Sequence, residues 1–163
     1  MQTMPKGGIA KVTLPADDQI LITREFHAPK HLVYKAWTTP ELVKRWWAGL
    51  RGEVTSAEID LRVGGTWRWV MIASSSGAEV AFHGEYKEIV ENERLVFTEV
   101  YEGMPDASAL VTNTFTEVDG RTTLEMLVQH ADREGRDAHI ESGMEGGMQE
   151  SMDALEQVAL SLA

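Results

Sequence analysis

The central part of the chain, residues 55–130, alternates apolar with polar side chains in short segments, and this pattern most constrains the fold. Trp67, Trp69 and Met71, for example, occupy every second position, which places them on one face of a β-strand. An Asp-Gly pair at 119–120, between two such segments, is typical of a tight hairpin turn. The pattern predicts consecutive antiparallel strands at about 55–62, 67–72, 80–90, 95–102, 109–118 and 121–130.

One strand and two short helices are expected before this region. The apolar, β-branched run 20–26 predicts a strand. Pro29 and Pro40 stand where two helices can begin, because the first helical position leaves unpaired the N–H that proline lacks. Residues 1–17 show little periodicity, and we interpret them as an N-terminal arm, either mobile or loosely docked at a sheet edge. We expect residues 18–163 to form a single domain.

The end of the chain changes to a helical period, which predicts a helix at about 142–161. Ser142 and Glu145 form a capping-box pattern at its start. The stretch 143–148 contains three glycines, and two interpretations of them stay open. They form a flexible lid or a point of close backbone approach at a cavity mouth, or they mark a kinked or late-starting helix packed tightly on the sheet. The apolar stripe of the helix consists of Ile140, Met144, Met148, Met152, Leu155, Ala159 and Leu162.

The order of these elements predicts the fold class. One strand, two short helices, about six strands and a long helix indicate an α+β protein. A curved antiparallel sheet of six or seven strands must bury one face against the long C-terminal helix, and sheet twist curls the strands partly around it.

Charge and composition exclude several classes of function. The 26 acidic and 15 basic side chains give a net charge of −11, which disfavours a nucleic-acid partner. The absence of cysteine excludes thiol catalysis, disulfides and cysteine-based zinc sites. No apolar run reaches the roughly 20 residues that span a bilayer, and the N-terminus has no signal-peptide pattern. We therefore expect a cytoplasmic protein that does not insert into membranes.

The sequence contains no recognisable metal, cofactor or catalytic motif. His27 and His31 are four positions apart, but Pro29 between them argues against a shared helical face, and the other three histidines are scattered. Nucleophile-elbow and phosphate-loop patterns are both missing. We expect no metal and no cofactor, and we assign no catalytic residue.

Aromatic and methionine side chains are the candidates for an apolar binding site. Methionine suits adaptable binding surfaces, although each of these side chains can equally fill the core. Glu99, Tyr101 and Asn113 lie on otherwise apolar strand faces, where an inward-pointing polar group can orient a ligand or act as an acid or base. The candidates for the cavity lining are Trp46, Trp67, Trp69, Met71, Phe82, Tyr101, Asn113, Phe115, Met144 and Met148.

Several stretches of the sequence carry a family resemblance over about residues 18–162. They are Arg24–Pro29, Val33–Thr38, Pro40–Trp47, Asp60–Met71, Phe82–Ile89 and Glu93–Thr98. These stretches resemble the SRPBCC superfamily and, within it, the family named for the activator of the heat-shock-protein-90 ATPase (its homologue-one-like members). The resemblance implies a helix-grip fold with a cavity between the curved sheet and the long helix. It implies no shared catalytic motif, since the superfamily includes co-chaperone domains, lipid carriers, cyclases and antibiotic-sequestering proteins.

Three functions follow as hypotheses. The leading one is binding of a hydrophobic or aromatic small molecule between the sheet and the C-terminal helix, by a protein that is not an enzyme. The alternatives are a cyclase- or hydrolase-like enzyme that uses acid–base groups in the same cavity, and a module that interacts with a chaperone. A homodimer also stays open, because sheet edges and exposed tryptophans favour self-association.

Overall fold

The computed structural model describes residues 8–163, which form eight strands and four helices. Residues 1–7 of the expected N-terminal arm lie outside the described residues. The strands are β1 (Lys11–Thr13), β2 (Gln19–Phe26), β3 (Gly52–Ile59), β4 (Thr66–Ala73), β5 (Glu79–Val90), β6 (Arg94–Tyr101), β7 (Ser108–Val118) and β8 (Arg121–His130). The helices are α1 (Lys30–Thr38), α2 (Pro40–Trp46), α3 (Arg133–Glu141) and α4 (Met144–Ser161).

The strands form one antiparallel sheet in the order β1-β2-β8-β7-β6-β5-β4-β3. The predicted α+β helix-grip fold is confirmed, but the sheet has eight strands where six or seven were expected. The additional strand is β1, a three-residue segment within the expected arm that pairs with β2 at the sheet edge, with Lys11 opposite Thr23.

The core lies between one face of the sheet and α4. Met152, Leu155 and Ala159 of α4 are buried against it, as the helical stripe predicted. Helices α1 and α2 contact α4 and cover one end of the same face. Trp46 of α2 is anchored there because its indole N–H donates to the carbonyl of Ala36, at 2.9 Å.

The C-terminal helical region is divided, which corrects the expected single helix at 142–161. Gly143 has a φ of 81°, and this left-handed residue ends α3 and redirects the chain into α4. The capping-box prediction is wrong, because the Ser142 hydroxyl donates to the carbonyl of His139 and so belongs to the end of α3. Helix α3 escaped the pattern analysis because it is short and polar; Asp132 caps it by accepting the N–H of Gly135 at 2.8 Å.

Candidate functional site

A cavity of about 520 Å³ lies between the sheet and the helices α2, α3 and α4. Strands β4, β5 and β6 supply one wall of aromatic side chains, and α4 supplies the methionines that face it. The volume falls within the roughly 300–1,000 Å³ that is usual for small-molecule pockets. The lining is predominantly apolar, as such pockets generally are.

Most of the sequence-predicted candidates lie on this cavity, and two do not. Those that line it are Trp46, Trp67, Trp69, Met71, Phe82, Tyr101, Met144 and Met148. Phe115 and Asn113 are buried in β7, outside the cavity wall. Phe115 packs edge-to-face on Tyr34 of α1, with ring centroids 5.7 Å apart, so the first helix fills the space at that end. The amide of Asn113 is fully buried and finds no hydrogen-bond partner within residues 8–163.

Trp69 is the centre of the aromatic wall. Its ring centroid lies 5.1 Å from that of Trp67 and 5.7 Å from that of Trp47. Trp46 packs on it edge-to-face at 5.8 Å. Such tilted and edge-to-face contacts stabilise aromatic clusters beyond simple burial. The alternation of β4 places Trp67 and Trp69 on one face, and the two short helices bring the other rings to them, so this wall is formed before any ligand enters.

All five tryptophans belong to the interior of the molecule. Four are buried, and Trp47 is half-buried against Phe82. The expectation of exposed tryptophans is therefore wrong, and with it one of the two arguments for a homodimer.

Polar side chains converge at one end of the cavity, through the register of three strands. Glu99 of β6 lies opposite Ala109 of β7, which in turn lies opposite His130 of β8. Cross-strand partners project from the same face, and the small side chain of Ala109 leaves space between its two neighbours. His139 of α3 reaches the same place, with its Nδ1 3.1 Å from Nε2 of His130. Glu99, His130 and His139 all line the cavity.

The electrostatics of this polar end follow from burial. Glu99 makes no hydrogen bond or ion pair within residues 8–163, and burial raises its pKa to about 7. Burial and the neighbouring His130 lower the pKa of His139 to about 4. The pKa of His130 is also lowered, chiefly by burial. Near pH 7 the cavity therefore holds two neutral imidazoles and a carboxyl group close to the midpoint of its titration.

The cavity mouth lies between the β6–β7 turn and the joint of α3 and α4. Exposed Met104 borders it on one side, and Gly143 borders it on the other. Arg51 lies over the first turns of α4, where a Cβ at Gly146 would be 2.7 Å from its Nη2. Arg51 also pairs with Glu150, with its Nε 3.3 Å from a carboxylate oxygen. The glycines thus form a kink and a seat for Arg51, at the border of the cavity.

Two further searches of residues 8–163 bear on function. No group of three or more histidine, aspartate or glutamate side chains is arranged to hold a metal ion. Within the same residues, no helix has the length and apolar character that crossing a membrane requires.

A curved antiparallel sheet that grips a C-terminal helix around an apolar cavity defines a helix-grip protein of the SRPBCC type. The family model described as "Activator of Hsp90 ATPase homolog 1-like protein" matches residues 27–159. The chain belongs to this family, as the resemblance in its sequence indicated. Family and fold support a ligand-binding or a chaperone-associated module, and they specify neither ligand nor partner.

Solved structures share the fold along nearly the whole chain. A Rhodobacter sphaeroides protein is 26% identical with a TM-score of 0.86, and the match covers 94% of this chain and 99% of that one. A Nitrosomonas europaea protein is 23% identical with a TM-score of 0.81, over 91% and 97% of the two chains. An AHSA1-like protein from Aeromonas hydrophila is 23% identical with a TM-score of 0.66, over 87% and 93%. A comparison with curated proteins finds no match.

The histidine pair is the part of the site that sequence reasoning missed. His130 and His139 were considered only as metal ligands, although counting by twos along β8 from buried Val128 places His130 on the inward face. Glu99 was recognised as a polar residue on an apolar face, but its direction was left open. Nothing in the local sequence indicates that α3 returns over β8.

Proposed function

We propose that this protein binds a hydrophobic or aromatic small molecule in the cavity between the sheet and α4. The observation that carries the proposal is the cavity itself, about 520 Å³ in volume and walled by tryptophan, phenylalanine and methionine side chains. Burial of apolar ligand surface against such walls supplies the driving force for binding.

The two sides of the cavity differ in a way that suits ligand entry. The aromatic wall is held by ring–ring contacts such as Trp47–Phe82, perpendicular at 5.7 Å. The helix side carries Met144 and Met148, which are only partly buried. Flexible thioether side chains repack around ligands of different shape. We expect a pocket with one preformed wall and one adaptable wall.

The proposal is tested with N-phenyl-1-naphthylamine, a neutral fluorophore that brightens in apolar sites. We expect saturable one-to-one binding together with quenching of the tryptophan fluorescence. Met148→Trp fills the mouth and should weaken binding by about tenfold or more. Gln157→Trp adds the same side chain to the exposed face of α4 and should leave binding unchanged.

Two results would contradict the proposal. The first is that neither this fluorophore nor smaller and larger apolar probes bind to the wild-type protein. The second is that the Met148→Trp and Gln157→Trp variants bind the probe equally well.

A cyclase- or hydrolase-like enzyme is the second candidate, and one observation favours it. Glu99, His130 and His139 converge on the cavity, and a carboxyl group with a pKa of about 7 can exchange a proton near neutral pH. Turnover of aryl esters that the wild-type protein catalyses and Glu99→Gln does not would support it. A chaperone-interacting module rests on the family description alone, and stimulation of the chaperone's ATPase by the purified protein is its test.

A further inference from the structure

Glu99 is an unpaired carboxyl group within an apolar cavity. It lies between Phe97 and Tyr101 on the inward face of β6, and all three side chains line the cavity. Within residues 8–163 the carboxyl group makes neither a hydrogen bond nor an ion pair. Burying a carboxylate without a partner costs free energy that the fold does not recover, so the group calls for a partner from outside the chain.

The protein supplies no positive charge to neutralise Glu99. The other titratable or charged side chains on the cavity are Arg51, Tyr86, Tyr101, His130 and His139. Arg51 lies at the mouth and pairs with Glu150. Burial lowers the pKa of both histidines, so the imidazoles are neutral near pH 7, and burial raises the pKa of Tyr86.

Aromatic rings surround the same space and favour a cation. The Phe82 and Tyr101 rings are 5.2 Å apart on neighbouring strands, beside the row that contains Glu99. Trp69 lies opposite Phe82 in the adjacent strand pair. The face of an aromatic ring attracts an organic cation, and the attraction strengthens when water is excluded. A lone carboxylate and several rings thus present the same preference to a ligand.

We propose that the ligand is a lipophilic amine, whose ammonium group pairs with Glu99 and whose apolar body lies between the aromatic wall and the methionines of α4. This inference rests on the proposed function and names the chemical class of its ligand. The neutral His130–His139 pair lies at the same end and offers a further hydrogen-bond acceptor to the ammonium group.

Binding should be coupled to a proton. In the free protein near pH 7, Glu99 is partly protonated, whereas the ammonium group requires the ionised carboxylate. The proton therefore leaves the carboxyl group for solvent when the amine binds, and affinity should rise with pH up to about 7. Calorimetry in buffers of different ionisation enthalpy measures this release.

Three probes of one shape and different charge test the proposal: 2-(2-naphthyl)ethylamine, 2-(2-naphthyl)ethanol and 3-(2-naphthyl)propanoate. By calorimetry we expect the amine to bind the wild-type protein about tenfold or more tightly than the alcohol, and the carboxylate most weakly. Glu99→Gln should remove most of the preference for the amine while leaving the alcohol's affinity within about threefold. Glu125→Gln removes the same charge from an exposed position on β8 and should change neither affinity.

The outcomes separate this inference from the proposed function. If the alcohol binds the wild-type protein as tightly as the amine, or if Glu99→Gln keeps the amine preference, the inference is overturned and the binding function stands. If none of the three probes binds and N-phenyl-1-naphthylamine does not bind either, both fail. Thermal unfolding of Glu99→Gln shows that the variant is folded, because removal of an unpaired buried charge should not lower its stability.

Discussion

The guanidinium group of Arg24 on β2 lies 3.4 Å from the carboxylate of Glu156 on α4, and both side chains are fully buried. The second oxygen of Glu156 accepts the backbone N–H of His27 at 2.7 Å. Arg24 also pairs with the half-exposed Asp153 at 2.8 Å and lies over the ring of Phe26. These contacts tie the middle of α4 to the end of β2, so charge as well as apolar packing positions the helix that forms one side of the cavity.

Glu156→Gln should destabilise the fold by about 3–5 kcal/mol, because it leaves the Arg24 guanidinium buried without its charge partner. Urea unfolding followed by tryptophan fluorescence measures the change. Glu125→Gln, at an exposed position of β8, should stay within about 0.5 kcal/mol of the wild type. Equal stabilities of the two variants would show that the buried pair contributes little.

Glycines at the joint of α3 and α4 should respond oppositely to alanine. Gly143→Ala forces a side chain into the left-handed region, at φ 81°, and should cost about 1–2 kcal/mol. Gly146→Ala gains up to about 1 kcal/mol of helix propensity, because the Arg51 guanidinium that its Cβ meets is half-exposed and can move. Thermal unfolding of the two variants checks the contrast, and a loss of stability in Gly146→Ala would show that the seat of Arg51 is rigid.

Glu99 should make the protein less stable as pH rises. Its pKa is about 7 in the folded state against an ordinary value of 4.5, so between these values only the folded state holds the proton. Raising the pH through this window therefore removes stability, and above about 7 the loss is constant. Glu99→Gln cannot ionise, and its stability relative to wild type should increase by about 3 kcal/mol between pH 4.5 and 7.

Denaturant unfolding at several pH values measures this difference. Glu125→Gln is the matched control on the opposite face of the sheet. A pH-independent difference between Glu99→Gln and the wild type would contradict the burial of the carboxyl group.

His139 should act in the opposite direction. Its pKa is about 4 in the folded state against an ordinary 6.5, so the unfolded state takes up the proton first as the pH falls. Stability is therefore lost between pH 6.5 and 4, by about 3 kcal/mol from this group. His139→Gln should lose less stability than the wild type over this range. His31→Gln, at an exposed position of α1, should follow the wild type, and identical curves for all three proteins would contradict the prediction.

The sequence alone determined the fold and most of the apolar wall. The period of two places Trp67, Trp69 and Met71 on one face, and the Asp-Gly turn closes a hairpin through interactions a few residues long. These signals are local, so they can be read along the chain without knowledge of distant contacts. The same holds for the apolar stripe of α4, whose buried members were all predicted to face the sheet or lie beside that stripe, except Glu156.

The tertiary structure alone decided which polar groups meet inside the cavity and which candidates are excluded from it. Glu99 and His130 come together through the register of β6, β7 and β8, and a shift by one residue would turn each to the other face. His139 reaches them because the chain after β8 folds back as α3 and turns sharply at Gly143. Phe115 is removed from the cavity because Tyr34 of α1, distant in sequence, packs on it. Each of these placements depends on contacts between residues far apart in the chain, and local periodicity carries no information about them.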